Sequence, residues 1–269
     1  MKKFCKSIVK KVVSNDTLWS VCQQLNRVTA FATQARATAL FDRHFPGDQI
    51  RHGFFAGIRI PGGGYAIGSC LIPKFVGTYE AELKPIVEEI VRRNPPLILD
   101  IGCAEGYYAV GFALRCPQSR VLAFDTSSEA RKTCMDTAIT NQVDDRVSIA
   151  GECHPADLLN LPLPDGSLVM SDCEGYEVDL FTDEVAKHLS ACLVFIEVHD
   201  CYRPEASATL KARFAASHDL QVIRSGKDKS DYQAALSHPD FTPAMKAILC
   251  HERDFNMDWF FFTPKPAIS

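Results

Sequence analysis

The chain has 269 residues, 46% of them hydrophobic and 23% charged, with a formal net charge of -4. That is the composition of a globular protein with a sizeable core, and it carries no global basic excess for binding nucleic acid. Eleven cysteines without a CxxC pair, and no apolar run near 18 residues, exclude a short disulfide-framed domain and a membrane span and point to a reducing cytoplasm.

The N-terminal stretch MKKFCKSIVKKVVSNDTLWSVC is basic and lacks the continuous apolar core of a signal peptide. A solvated helix packing on the domain is expected there, ahead of an amphipathic helix lying on a membrane surface. Residues 15–45 read as helix, with Leu18, Val21, Cys22, Leu25 and Val28 at three-to-four spacing. Residues 50–78 are rich in Gly, aromatic and β-branched residues and read as a hairpin or irregular strands. Their PGGG lacks the Gly-Lys-Ser/Thr of a phosphate loop and is taken as a turn.

From residue 80 the pattern is regular. A helix (80–93) is stopped by the Pro pair of NPPL (94–97), followed by a strand (97–102) and a helix from Gly106. A second strand ends at Asp125, and Thr126 with Glu129 has capping-box spacing at the next helix start. Strands at 146–150, 167–172, 192–198, 220–225 and 257–263, with helices at 177–189 and 204–217, complete the series. Strands alternating with helices predict an α/β fold with a mostly parallel, doubly wound, seven-stranded sheet. Ligands of such sheets bind beyond the carboxyl ends of the strands.

The stretch LILDIGCAEGYYAVGFAL carries the main chemical signal. Asp100 ends a strand, and Gly102 and Gly106 flank a tight turn into a helix whose free N–H groups can meet an anion. Asp125, nineteen residues after Gly106, is placed to accept ribose hydroxyls. A dinucleotide fingerprint would have glycine at Ala104, and Asp100 adds negative charge where a pyrophosphate would lie. S-adenosylmethionine, a sulfonium and ammonium compound without phosphate, suits the turn better. Glu152, just past the third strand, is a candidate acceptor for the adenine amino group.

YEAEL (79–83), LDIGCAEGYYAVGFA (99–113), DCEGYE (172–177) and FIEVHD (195–200) together resemble the FkbM-type S-adenosylmethionine-dependent methyltransferases. The resemblance covers roughly residues 78–200. It implies a class I, Rossmann-like methyltransferase fold and methylation of a hydroxyl on a sugar, polyketide or other metabolite. Carried onto this chain, it puts Glu80, Asp100, Gly102, Cys103, Ala104, Gly106 and Tyr107 around the cofactor. Asp125, Thr126, Glu152, Cys153 and Asp172 complete that set. The usual Asn of the first turn is replaced here by Ala104-Glu105, which alters contacts at the methionine end. The expected division is a helical and hairpin extension over 1–78, part of it a lid, and an S-adenosylmethionine-binding domain over 79–269.

Methyl transfer to a hydroxyl needs an aligned acceptor and a proton acceptor. His199 is the first candidate base, Asp172 the second, and Glu174 completes the catalytic set. No metal is expected, because no diagnostic ligand spacing is present. The alternative set for Mg or Mn is Asp172, Glu197 and His199, with Glu174 and Asp200 alongside. NPPL precedes the first strand, whereas the Asn-Pro-Pro-aromatic motif of amino-directed methyltransferases ends the fourth, so no nucleic-acid or protein-amine acceptor is expected. The expected partner is a small-molecule acceptor, and the oligomeric state is left open, a homodimer included. Competing readings are a nicotinamide-dependent oxidoreductase and a non-catalytic S-adenosylmethionine-binding module.

Overall fold

The computed structural model describes residues 15–61, 71–225, 236–252 and 256–266. The basic N-terminal segment up to Ser14 and the three glycines of PGGG lie outside the described residues, as does the rest of 62–70 in the segment expected to form a hairpin or irregular strands. The chain divides into two compact units, Met1–Pro46 with Leu236–His251, and Gly47–Ala235 with Glu252–Ser269.

The first unit is built on helix α1 (Asp16–His44), whose cap is the Asn15 side chain accepting from the Leu18 N–H at 3.0 Å. The periodic residues Leu18, Val21, Leu25 and Val28 fall on the helix as expected, yet they are 46–64% exposed. Periodicity located the helix and did not locate its partner. Helix α10 (Pro243–Leu249) packs in the same unit. Its start is a Thr242 cap accepting from the Met245 N–H, with Pro at the first helical position.

The second unit holds a seven-stranded sheet in the order β3-β2-β1-β4-β5-β7-β6. The strands are β1 (Leu97–Ile101), β2 (Arg120–Phe124), β3 (Val147–Ala150), β4 (Leu168–Ser171), β5 (Leu193–Val198), β6 (His218–Arg224) and β7 (Asp258–Pro264). The first five run parallel, and β7 enters antiparallel between β5 and β6. This is the expected Rossmann-like α/β sheet. The order reverses between β1 and β4, which opens a crevice at their carboxyl ends.

Helix α3 (Lys84–Arg93) ends where NPPL begins, with Asn94 at φ +48 closing its last turn on the Ile90 carbonyl. Helix α4 (Tyr107–Arg115) follows β1, and α5 (Ser128–Thr140) follows β2. The cap of α5 is Ser127, accepting from the Ala130 N–H at 3.3 Å, one residue later than the capping box predicts. The helix expected over 177–189 is broken at Phe181-Thr182 into α7 (Glu177–Leu180) and α8 (Asp183–His188), because the Thr182 hydroxyl caps the second piece. A short helix α6 (Pro155–Asn160) stands between β3 and β4, started by Pro155 and by Asp157, which accepts from the His154 N–H. Helix α9 (Ala206–Phe214) is shorter than the expected 204–217.

Among the described residues, 50–60 form turns around one antiparallel bridge, Gln49 to Arg59, in place of the expected hairpin or irregular strands, and Leu71–Val76 is helix α2. Phe55 is fully buried, edge-on to Tyr107 and Phe112 of α4, and fills the space beside Gly111.

All six residues of β5 are buried, as a strand covered on both faces demands. Five are apolar. The sixth is Glu197, and a carboxylate in such a strand needs a partner or a chemical purpose.

Candidate active site

The two acidic motifs meet. Gly102 has φ +93, and a Cβ built there would lie 1.9 Å from the Asp172 carbonyl oxygen. Only glycine lets the turn after β1 abut the end of β4 this closely. The Asp172 N–H completes the join by donating to the Ile101 carbonyl at 2.9 Å.

Asp125 leaves the end of β2 toward this turn. Its Oδ2 accepts from the Ala104 N–H at 3.0 Å and its Oδ1 from the Ser127 N–H at 2.8 Å. The carboxylate is therefore oriented by backbone before any ligand arrives, and each oxygen retains a lone pair for a hydroxyl. Ala104 has φ +45 and Glu174 φ +55, left-handed conformations that cost a non-glycine residue on the order of 1 kcal/mol and concentrate at functional sites.

A cavity of about 520 Å³ lies over these strand ends. Its lining includes Gly102, Ala104, Asp125, Thr126, Glu152 and Cys153 from the expected cofactor set, and Asp172, Glu174 and Glu197 from the acidic set. Glu80, Asp100, Cys103, Tyr107 and His199 are buried behind it. Gly106 is the left-handed residue that opens α4. Lys74, Tyr79, Cys173, Tyr176, Glu252 and Met257 also line the cavity and were not expected there. Tyr79 begins the YEAEL motif, so it had a signal. Glu252 lies 80 residues beyond Asp172 in sequence, and nothing local marks it.

Beneath the lining is a buried ionic layer. Lys74 Nζ lies 2.5 Å from Glu105 Oε1, both side chains being buried, and stands over the Tyr79 and Tyr107 rings. The Tyr108 hydroxyl donates to the Glu80 carboxylate, and the Glu80 N–H donates to Glu252 at 3.3 Å. This layer ties α2, the 79–83 segment and α4 to one another.

The acids around His199 are arranged unequally. His199 is fully buried, with Nδ1 2.6 Å from Glu177 Oε1, also fully buried. On its other side, Nε2 lies 3.6 Å from Asp172, 3.5 Å from Glu174 and 3.5 Å from Glu197. Those distances are too long for hydrogen bonds, and His199 Nε2 and Asp172 Oδ1 are both buried without a hydrogen-bond partner among the described residues. Burial alone would lower the His199 pKa, but Glu177, Asp172 and Glu174 outweigh it and hold the imidazole above its usual value. Glu177 is held low, because the hydrogen bond and charge of His199 overcome its burial.

Burial, His199 and the nearby carboxylates together place Asp172 at about 6, burial being the largest influence. Burial, then Asp172 and Asp125, push Asp100 up to about 7, and its Oδ2 has no hydrogen-bond partner among the described residues. Among the described residues, the site carries more negative charge than its cations offset. It favours a positively charged ligand. Asp172, Glu174 and His199 each turn a ligand atom within 4.8 Å of the others, a spacing that a divalent cation can span.

Residues 99–172, from β1 to the end of β4, match a protein family described as "Methyltransferase domain". No curated protein shows significant sequence similarity to the chain. Among solved structures, an O-methyltransferase from Bacillus cereus in complex with SAH is similar over 65% of this chain and 77% of its own, at 12% identity and a TM-score of 0.46. A putative O-methyltransferase from Klebsiella pneumoniae is similar over 66% and 77%, at 11% identity and 0.45. A geranyl diphosphate C-methyltransferase from Streptomyces coelicolor A3(2) is similar over 71% and 79%, at 16% identity and 0.40. Likenesses this remote decide neither acceptor nor chemistry.

Proposed function

We propose that the protein is an S-adenosylmethionine-dependent methyltransferase that methylates a hydroxyl of a small-molecule acceptor. The observation that carries the reading is where the matched segment lies. It begins on β1 and ends on Asp172, and its two ends meet at Gly102 on the wall of the cavity. Within that class, DCEGYE at 172–177 supports the FkbM-type assignment.

The charge of the site supports this cofactor. Asp100 and Asp172 present buried oxygens without hydrogen-bond partners among the described residues, and both carboxyls are raised, chiefly by burial and further by repulsion from neighbouring carboxylates. A sulfonium and an ammonium relieve that repulsion, whereas the pyrophosphate of a nicotinamide cofactor would add to it. S-adenosylmethionine, when bound, supplies a methyl group on a positively charged sulfur.

The chain's own residues then divide the work. Asp125, fixed by two backbone N–H groups, accepts the ribose hydroxyls, and Glu152 at the far end accepts from the adenine amino group. Asp172 reaches the cavity and His199 does not, so Asp172 is the first acceptor for the hydroxyl proton. A carboxyl near 6 is ionised at neutral pH and is a stronger base than an ordinary aspartate. His199, held by Glu177, sits behind it as a neighbouring group whose charge favours the ionised form of Asp172. Glu174, at the rim, is 72% exposed and faces the incoming acceptor.

One observation favours a second reading of the same acids. His199 Nε2 and Asp172 Oδ1, without hydrogen-bond partners among the described residues, stand 3.6 Å apart with Glu174 alongside, as ligands of a Mg- or Mn-class cation would. Such a cation would acidify the hydroxyl in place of a base.

A labelled-methyl transfer assay over neutral hydroxylated metabolites, run with and without EDTA, tests these readings. Transfer that is indifferent to EDTA and falls roughly 10²–10⁴-fold in Asp172→Asn supports the base. Transfer abolished by EDTA and restored by Mg supports the cation. A protein that binds neither S-adenosylmethionine nor its product refutes both.

A further inference from the structure

The first compact unit is assembled from two chain segments far apart in sequence, and its core is small. Its buried apolar side chains among the described residues include Phe41, Leu236, Phe241, Met245 and Leu249. Units of this size commonly rely on an added cross-link, covalent or metallic. Three side chains of the right chemistry meet where the two segments join.

His44 lies in the last turn of α1, and His238 and Asp240 lie in the turn ahead of α10. His44 Nε2 is 3.0 Å from Asp240 Oδ2, and His238 Nδ1 is 3.5 Å from the same oxygen. The two imidazole rings are 4.0 Å apart, centroid to centroid. One ligand atom from each residue falls within 4.8 Å of the other two. Ligands about 2.0–2.2 Å from a tetrahedral ion are roughly 3.3–3.6 Å from one another, so two of these spacings need little adjustment.

The donors stand on fixed supports. The Phe241 N–H donates to the His238 carbonyl at 3.1 Å, the buried Phe241 ring stacks obliquely near His44, and Thr242 caps α10 directly behind. The Asp240 N–H makes a long 3.3 Å contact to His238 Nδ1, which a metal on that nitrogen would displace at little cost. The imidazoles are part-exposed, at 22% for His44 and 48% for His238, so an ion has a path in and water can fill its remaining coordination.

We propose that His44, His238 and Asp240 bind a borderline divalent cation of the zinc class that clasps α1 to the turn before α10. Two imidazoles and one carboxylate suit Zn, Co or Ni rather than Mg or Ca. The site belongs to the first unit and stands independently of the methyltransferase reading.

Cobalt(II) is the probe, because its visible absorption separates nitrogen and oxygen ligation from the thiolate bands that the cysteines would give. EDTA-treated full-length protein is titrated as wild type, His238→Ala, Asp240→Asn and His199→Ala. The expected result is binding without thiolate bands, of which one equivalent is weakened about 100-fold or more in His238→Ala and Asp240→Asn and kept in His199→Ala. Melting curves without metal, which should be close to wild type for the exposed His238→Ala, establish that this variant is folded. A wild type that binds no cobalt outside thiolate sites overturns the proposal, and so does a titration unchanged by His238→Ala.

Discussion

Asp100→Asn isolates the electrostatic cost of the site. Asp100 is 2% exposed, its carboxyl is held at about 7 against a usual 3.8, and burial, Asp172 and Asp125 are the causes. Between about pH 4 and 7 the folded chain keeps this proton while the unfolded chain has released it. Stability therefore falls as pH rises through that window and levels off above about 7. A gap of roughly three pH units at about 1.4 kcal/mol each sets a ceiling of about 4 kcal/mol. Asn has nearly the same shape and no charge, so it removes that cost. Urea unfolding of the ligand-free protein should give similar stabilities near pH 4 and a gain for Asp100→Asn that grows toward pH 8. A variant equally or less stable than wild type at pH 8, or a difference that does not depend on pH, refutes the reasoning.

Two further outcomes follow from the site's geometry. Gly102→Ala puts a methyl against the Asp172 carbonyl and should cost several kcal/mol of stability, read in the same unfolding assay, together with most of the cofactor affinity. A variant with wild-type melting and binding would show that the two strand ends are not in contact. If Asp172 takes the proton, the methylation rate should fall as pH drops below about 6, where its carboxyl protonates, and the inflection should vanish in Asp172→Asn. A pH–rate profile flat through that range removes Asp172 from proton transfer.

Much of this was legible in the sequence, for reasons that particular residues make plain. All seven strands were marked by short apolar, β-branched or aromatic runs, and Gly102 and Gly106 marked the turn because other residues rarely adopt those conformations. The acids of DCEGYE stood out because carboxylates at the end of a buried strand need a reason. Positions set by long-range packing were not legible. Leu18, Val21, Leu25 and Val28 have helical spacing whether or not anything covers them, and they are exposed. His199 carries the same letter in a cavity wall or behind it, and only the sheet shows it fully buried against Glu177. Lys74 reaches the cavity through Glu105 and two tyrosine rings, a set spread over 34 residues without a repeating pattern. The break at Thr182 was missed because a hydroxyl inside a helical run becomes a cap only when tertiary packing bends the chain there.

The central claim is that S-adenosylmethionine binds over β1, β2 and β4 with Asp125 on its ribose. Calorimetric titration of S-adenosylhomocysteine into wild type and Asp125→Ala tests it most directly. The account predicts one molecule bound per chain and an affinity loss of about 1–3 kcal/mol in the variant, roughly 5- to 150-fold in Kd. No binding of either S-adenosylhomocysteine or S-adenosylmethionine by the folded wild-type chain would contradict it.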